Sequence, residues 1–351
     1  MEKAKVKVGF LGVGGMGQMA HLRNYAQLKD DCEIIAVADM KHEQAKAVAM
    51  KYDIPTVYEN VQDLLNNKEI EAVVASQPFG QHVNLVPLVL NAGKHVLTEK
   101  PLCVYAAHSK EMLDAAKKNN KIHMVGYHKR SDPAVEYGVE VIRKWKETGE
   151  MGDMRYVRVT MPPGNWMASP DRPYITDEKV QILPGEPVLE GIDADTHGRY
   201  NGFVNYYIHQ VNMLRHLFGE DYKVTFADKT RKLMAVESDS GVCGTLEMDI
   251  YNTSDDWQEK FMVCFQKGWV EIALPAPLMS QNAGKVTVFT DNGGGGVFTS
   301  PRLPNLCAMR KQAMNYLAAV RGERKAPCEG FEAVKDLDIA MDYIEFMKKY
   351  Q

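Results

Sequence analysis

A chain of 351 residues exceeds the size at which a single hydrophobic core usually stops growing, so two domains are expected. Its 45% apolar and 25% charged residues are those of an ordinary soluble globular protein, and a formal net charge of −4 offers nothing to nucleic acid or an anionic membrane. No apolar run approaches the roughly 20 residues of a membrane span. The six cysteines include no C-x-x-C pair, and Met1 to Lys5 leave little space for a signal peptide; both features point to reduced thiols in a cytoplasmic protein.

In chain order, Val6 to Leu11 reads as a buried strand and leads into Gly12-Val13-Gly14-Gly15-Met16-Gly17, a G-x-G-x-x-G run followed by a helical pattern. Strand, glycine turn and helix together are the context of a dinucleotide-binding fingerprint. Gly12 suits the tight turn, Gly14 the approach of backbone to a pyrophosphate, and Gly17 the close packing of helix on strand. The helix start offers free N–H groups to that pyrophosphate. The next strand, Ile34 to Ala38, ends on Asp39, 22 residues past Gly17, where a carboxylate can accept the ribose hydroxyls and repel a 2′-phosphate. NAD is therefore the expected cofactor, with Lys41 close by as a counterweight.

Strands and helices keep alternating to about Gly126, as a doubly wound sheet requires. A helix over His42 to Tyr52 precedes a strand at Thr56 to Tyr58 and a turn of helix at Val61 to Leu65. The strand Ala72 to Ala75 runs out into Ser76-Gln77-Pro78-Phe79, and a helix from His82 to Asn91 stops at Ala92-Gly93. His95 to Thr98 is the next strand; it delivers Glu99-Lys100-Pro101, and a helix from Tyr105 to Asn119 leads to Ile122 through Gly126. Ligands in such sheets sit beyond the carboxyl ends of the strands, so Gln77, Pro78, His82, Glu99 and Lys100 join the glycine turn as expected cofactor contacts.

The expected division is 1–126 for the dinucleotide-binding domain and 127–351 for a second, α+β domain. Pro133 to Thr148 reads as an amphipathic helix ended by Gly149, with a strand at Arg155 to Thr160 behind it. Residues 161–202, rich in proline and glycine, read as a long loop, and such loops are usually functional. A helix is expected from Phe203 to Phe218, ended by Gly219. From Val224 to Thr290 the pattern is β-rich, clearest in Thr245 to Tyr251, Phe261 to Phe265 and Val286 to Phe289. Gly293 to Gly296 reads as a loop, and helices over Leu306 to Arg321 and Phe331 to Tyr350 close the chain.

These residues resemble the glucose–fructose oxidoreductase/inositol dehydrogenase/MocA (Gfo/Idh/MocA) family over nearly the whole chain. The resemblance rests on the Gly12–Gly17 fingerprint, on the run Gly93 to Leu102 (Gly-Lys-His-Val-Leu-Thr-Glu-Lys-Pro-Leu), and on the helix with His209. It implies an N-terminal Rossmann domain and a C-terminal domain with a mostly antiparallel open sheet. It also implies that Lys100 lies beside the nicotinamide and the substrate hydroxyl, before a proline that is often cis. An ammonium there can stabilise negative charge developing on a substrate oxygen.

Asn205, His209, Asn212 and His216 are spaced by 4, 3 and 4 and share one helix face. The family pattern there is D-x-G-x-H-x-x-D, with the histidine as general base. Here it reads Asn205-x-Tyr207-x-His209-x-x-Asn212, so His209 matches the base while both acids are amides. An amide can orient an imidazole but cannot stabilise its cation as a carboxylate would. Lys100, His209 and Asn205 are the catalytic residues expected on this reading, and His216 reads as a core histidine.

Substrate contacts are expected from Tyr127, His128 and Arg130, from Trp166, and from Asp193, Asp195 and His197, together with Asn205 and His209. The Asp193–Arg199 segment has donors that would suit a metal, but the family chemistry needs none and substrate contact is the reading taken. The expected activity is NAD-dependent oxidation of a secondary hydroxyl of a sugar, cyclitol or glycoside, with C3 of a glucoside one such position. Alternatives are glycoside cleavage through transient oxidation, and a non-catalytic regulator that senses dinucleotide. Family members often pair through the second domain, which implies a homo-oligomer.

Overall fold

The computed structural model describes residues 4–162, 164–168, 172–249, 253 and 255–350. The chain divides into two compact units: residues 1–127 with 170–193 and 312–337, and residues 128–169 with 194–311 and 338–351. The linear division at 126 does not contain the two later segments that return to the first unit.

The first unit is a six-stranded sheet of β1 (Val6–Leu11), β2 (Cys32–Ala38), β3 (Thr56–Tyr58), β4 (Ala72–Ala75), β5 (His95–Thr98) and β6 (His123–Val125). Its order is β3-β2-β1-β4-β5-β6, with every neighbouring pair parallel. Central strands covered on both faces read as continuous apolar runs, and β4 is fully buried along its length. Val8, Phe10, Val37, Val74 and Leu97 form one core with Tyr25 and Val48. The segment 312–337 contributes Ala313, Tyr316 and Leu317 to that core, and the Tyr316 hydroxyl donates to the Val73 carbonyl at 3.3 Å.

Strand order reverses at β1/β4, which opens a crevice beyond the carboxyl ends of the strands. A helix follows the glycine turn, as expected; it starts α-helical at Gly15 and Met16, is wound as a π-helix over Gly17–Leu22 and returns to α-helix at Arg23–Tyr25.

The second unit holds an eight-stranded sheet: β7 (Met154–Met161), β8 (Tyr222–Ala227), β9 (Leu233–Ser238), β10 (Cys243–Met248), β11 (Glu259–Phe265), β12 (Gly268–Leu274), β13 (Lys285–Asp291) and β14 (Gly296–Thr299). The order is β14-β13-β12-β11-β7-β10-β9-β8, antiparallel at every pair except β7–β10. Burial alternates strictly along β12, so one face is covered. The covering helix Pro133–Thr148 is capped by Asp132, which accepts from the Ala134 N–H at 2.8 Å, and ends at Gly149 with φ +67°. It lies so close to β12 that a Cβ on Gly138 would sit 2.6 Å from the Ile272 side chain.

Three sequence expectations change here. The helix expected from Phe203 spans Ala194–Phe218. The strand read as a glycine loop at its start is β14. The strand read to Tyr251 ends at Met248, before Asp249; 250 and 251 lie outside the described residues.

One local contact supports the early helix start. Gly198 and Gly202 break the pattern in the sequence, yet the Asp195 carboxylate pairs with Arg199 one turn on, at 2.6 Å. A Cβ at Gly198 would meet nothing within 4 Å. Gly198→Ala is therefore expected to stabilise the protein by about 0.5–1 kcal/mol. A urea midpoint that falls would show that this turn is not helical in solution.

Candidate active site

In the first unit the candidate groups line the carboxyl ends of the parallel strands. Gly12, just past β1, has φ +83°, a conformation that side chains rarely adopt. A Cβ on Gly17 would lie 2.6 Å from the Gly12 carbonyl oxygen, whereas one on Gly14 would meet nothing within 4 Å. The turn is thus closed on its inner side and open over Gly14, with Gly15 and Met16 carrying the chain into the helix. Ser76, after β4, donates to the Gly12 carbonyl at 2.7 Å, and Gln77 borders the same turn.

Asp39 sits where β2 ends. One carboxylate oxygen accepts from the Val13 N–H at 2.7 Å and the other from the Lys41 N–H at 2.8 Å. This fixes an anion against the glycine turn. An open backbone cradle beside a fixed carboxylate fits a dinucleotide: pyrophosphate over the turn, ribose hydroxyls at Asp39.

At the end of β5 the Lys100–Pro101 peptide is cis. The carboxylate of Glu99 lies 2.7 Å from His21 Nε2, on the π-helix that follows the glycine turn. Burial alone would raise the Glu99 pKa. The His21 hydrogen bond and the charges of His21 and Lys100 outweigh it, so the group titrates below the usual range and is anionic at neutral pH. His82 is fully buried, with Nδ1 3.0 Å from the Leu102 carbonyl, and burial lowers its pKa. It braces the chain just past Lys100. Pro78 is exposed at the end of β4.

In the second unit the long helix carries the polar row. Asn205 is exposed, His209 is half-buried, and Asn212 is buried. The His209 ring packs edge-on against His128, centroids 4.7 Å apart. His128, Lys129 and Arg130 belong to one 3₁₀ turn, His128–Ser131, and all three are buried. Burial of all three sets them apart from a solvated surface cluster. Arg130 Nε donates to the Asn212 side-chain oxygen at 2.6 Å. Lys129 pairs with Glu259 on β11, and Glu259 also accepts from Gln210 at 2.5 Å. Three consecutive residues thus brace the helix at His209 and just after it, Lys129 through Glu259.

His216, also on this helix, has its pKa pushed well below the ordinary imidazole value by burial and then by the Arg130 guanidinium. Asp195 and His197 stand in the first turns of the helix, not in a loop, and Asp195 is committed to Arg199. Trp166 is 39% exposed, and its carbonyl accepts from the Leu278 N–H at 3.2 Å. Tyr127 is buried and Asp193 exposed, both in the first unit.

Several residues around these sites were not foreseen. Gln18 and Gln44 are buried amides that both donate to the Val13 carbonyl, at 2.7 and 3.1 Å. His21 and Glu259 likewise carry no motif. The position of Gln18 directly after the fingerprint was the one available signal.

Residues 6–127 match the model of an oxidoreductase family with an NAD-binding Rossmann fold, GFO_IDH_MocA. The chain is 26% identical over 293 residues to inositol 2-dehydrogenase of Salmonella typhimurium, covering 80% of this chain and 77% of that protein. It is 30% identical over 130 residues to D-glucoside 3-dehydrogenase of Escherichia coli, covering 37% of each. The crystal structure of aldose-aldose oxidoreductase from Caulobacter crescentus superposes with a TM-score of 0.72 at 19% identity, over 99% of both chains. Glycine turn, Glu99-Lys100-Pro101 and the family match together place residues 6–127 in the Gfo/Idh/MocA family of oxidoreductases.

Proposed function

We propose that this chain is an NAD-dependent dehydrogenase that oxidises a secondary hydroxyl of a sugar, cyclitol or glycoside to the ketone. The observation that carries the reading is the order of groups along one sheet: an open glycine turn after β1, a fixed carboxylate after β2, and the Glu99-Lys100 pair after β5. NAD, when bound, supplies the acceptor for the hydride that leaves the carbinol carbon.

The chain's own residues do the rest. Backbone N–H groups of Gly14 to Gly17 hold the pyrophosphate, and Asp39 accepts the ribose hydroxyls. The Lys100 ammonium holds the substrate oxygen and stabilises charge developing on it. The His209 imidazole takes the hydroxyl proton, with His128 and the braced helix limiting its motion. Trp166 offers an exposed aromatic face suited to the C–H side of a sugar ring.

Inositols and glucosides, named in the two relatives above, are the first substrates to try, with C3 as the carbon to examine in glucosides. Titration with NAD and NADP, followed by cofactor fluorescence over such a panel, tests the reading. NADH formation with at least one cyclitol or glucoside is expected. Glycoside cleavage without net NADH would favour transient oxidation, and dinucleotide binding without turnover on any substrate would favour a regulator.

A further inference from the structure

A 2′-phosphate can be received beyond the second strand of such a sheet, by a basic side chain and by backbone N–H groups at the start of the next helix. In this chain those groups are already engaged by the segment 174–178 of the same unit. The segment is held by two buried amides. Gln18 donates to the Tyr174 carbonyl at 2.8 Å and accepts from the Tyr174 N–H at 2.9 Å. Gln44 accepts from the Thr176 N–H at 3.1 Å.

So fixed, the segment places its polar groups over the end of β2. The Lys41 ammonium donates to the Thr176 carbonyl at 2.5 Å. The Glu178 carboxylate accepts from the N–H groups of Glu43 and Gln44 at 3.0 and 3.1 Å, at the start of the His42–Lys51 helix, and from the Thr176 hydroxyl at 2.7 Å. These bonds, led by that from Thr176, also lower the Glu178 pKa, so it is anionic at neutral pH. Two carboxylates, Asp39 and Glu178, therefore stand at the end of this strand, and the basic side chain between them is withheld.

We propose that Glu178, carried by the 174–178 strap, is a specificity-determining residue that excludes 2′-phosphorylated dinucleotides. Its carboxylate takes the N–H groups a phosphate would need, and its charge repels one. The proposal rests on the dinucleotide reading above and goes further, because Asp39 is then only half of the discrimination. Repulsion of the wrong ligand, and not only attraction of the right one, is how such selectivity is usually built.

Calorimetric titration of NAD and NADP into the wild-type chain, Glu178→Gln and Glu178→Asp tests it without reference to turnover. Glu178→Gln should lower the Kd for NADP by about tenfold and move that for NAD by less than about threefold, as removal of one opposing charge would. Glu178→Asp, which keeps the charge, should stay near the wild-type ratio. An NADP Kd unchanged in Glu178→Gln, while NAD still binds, overturns the role of Glu178 and leaves the dinucleotide reading intact. A wild-type chain that binds neither nucleotide overturns both.

Discussion

His209→Ala is expected to lower kcat by about 10²-fold or more while leaving NAD affinity close to wild type, because a general base contributes roughly 10²–10⁴ in rate. The companion variant reports on the missing acid. Asn205→Asp sets a carboxylate on the same helix face, one turn before His209. A nearby carboxylate favours the imidazolium and so raises the His209 pKa. The base then stays protonated to higher pH, and the acidic limb of the kcat/KM profile moves up with it. An unmoved limb in Asn205→Asp, with a shift in Asp193→Asn or Asp195→Asn, would transfer the supporting role to those acids. The salt bridge of Asp195 to Arg199 argues against Asp195. A kcat within threefold of wild type in His209→Ala would remove His209 from the chemistry.

The second large effect is on stability. Lys129 and Glu259 form an ion pair with each side chain at most 3% exposed. Removing one partner leaves the other charge buried and unmatched, at a cost of about 3–5 kcal/mol. Glu259→Ala is therefore expected to lower the urea midpoint of the second unit sharply. The double variant Lys129→Met/Glu259→Leu, which removes both charges, should recover most of the loss. Glu259 also accepts from Gln210, the neighbour of His209, so the single variant should depress kcat at temperatures where the protein is still folded. A cost below about 1 kcal/mol for Glu259→Ala would mean that water reaches the pair.

Much of this protein is legible in one dimension because its signals are local. The strands Val6 to Leu11, Thr56 to Tyr58, Ala72 to Ala75 and His95 to Thr98 are found with the bounds read from their apolar runs. The same holds for the helix Pro133–Thr148, whose start and stop are written in Asp132-Pro133 and Gly149. The glycine turn is equally local, since its roles follow from φ and from the space for a Cβ at adjacent positions.

What only the tertiary structure decided lies at long sequence separation or against local propensity. The helix from Ala194 carries two glycines, which a propensity reading takes for loop and a one-turn ion pair helps offset. Lys129 and Glu259 are 130 residues apart. Nothing in the stretch His128-Lys129-Arg130 says that its charges are buried, because burial of a charge depends on a partner that the chain brings from elsewhere. Gln18 and Gln44 are ordinary residues until Tyr174 and Thr176 arrive to pair with them. The fold class is thus set by periodicity and turn residues, while the electrostatics around the glycine turn and His209 are set by which distant polar groups share a buried space.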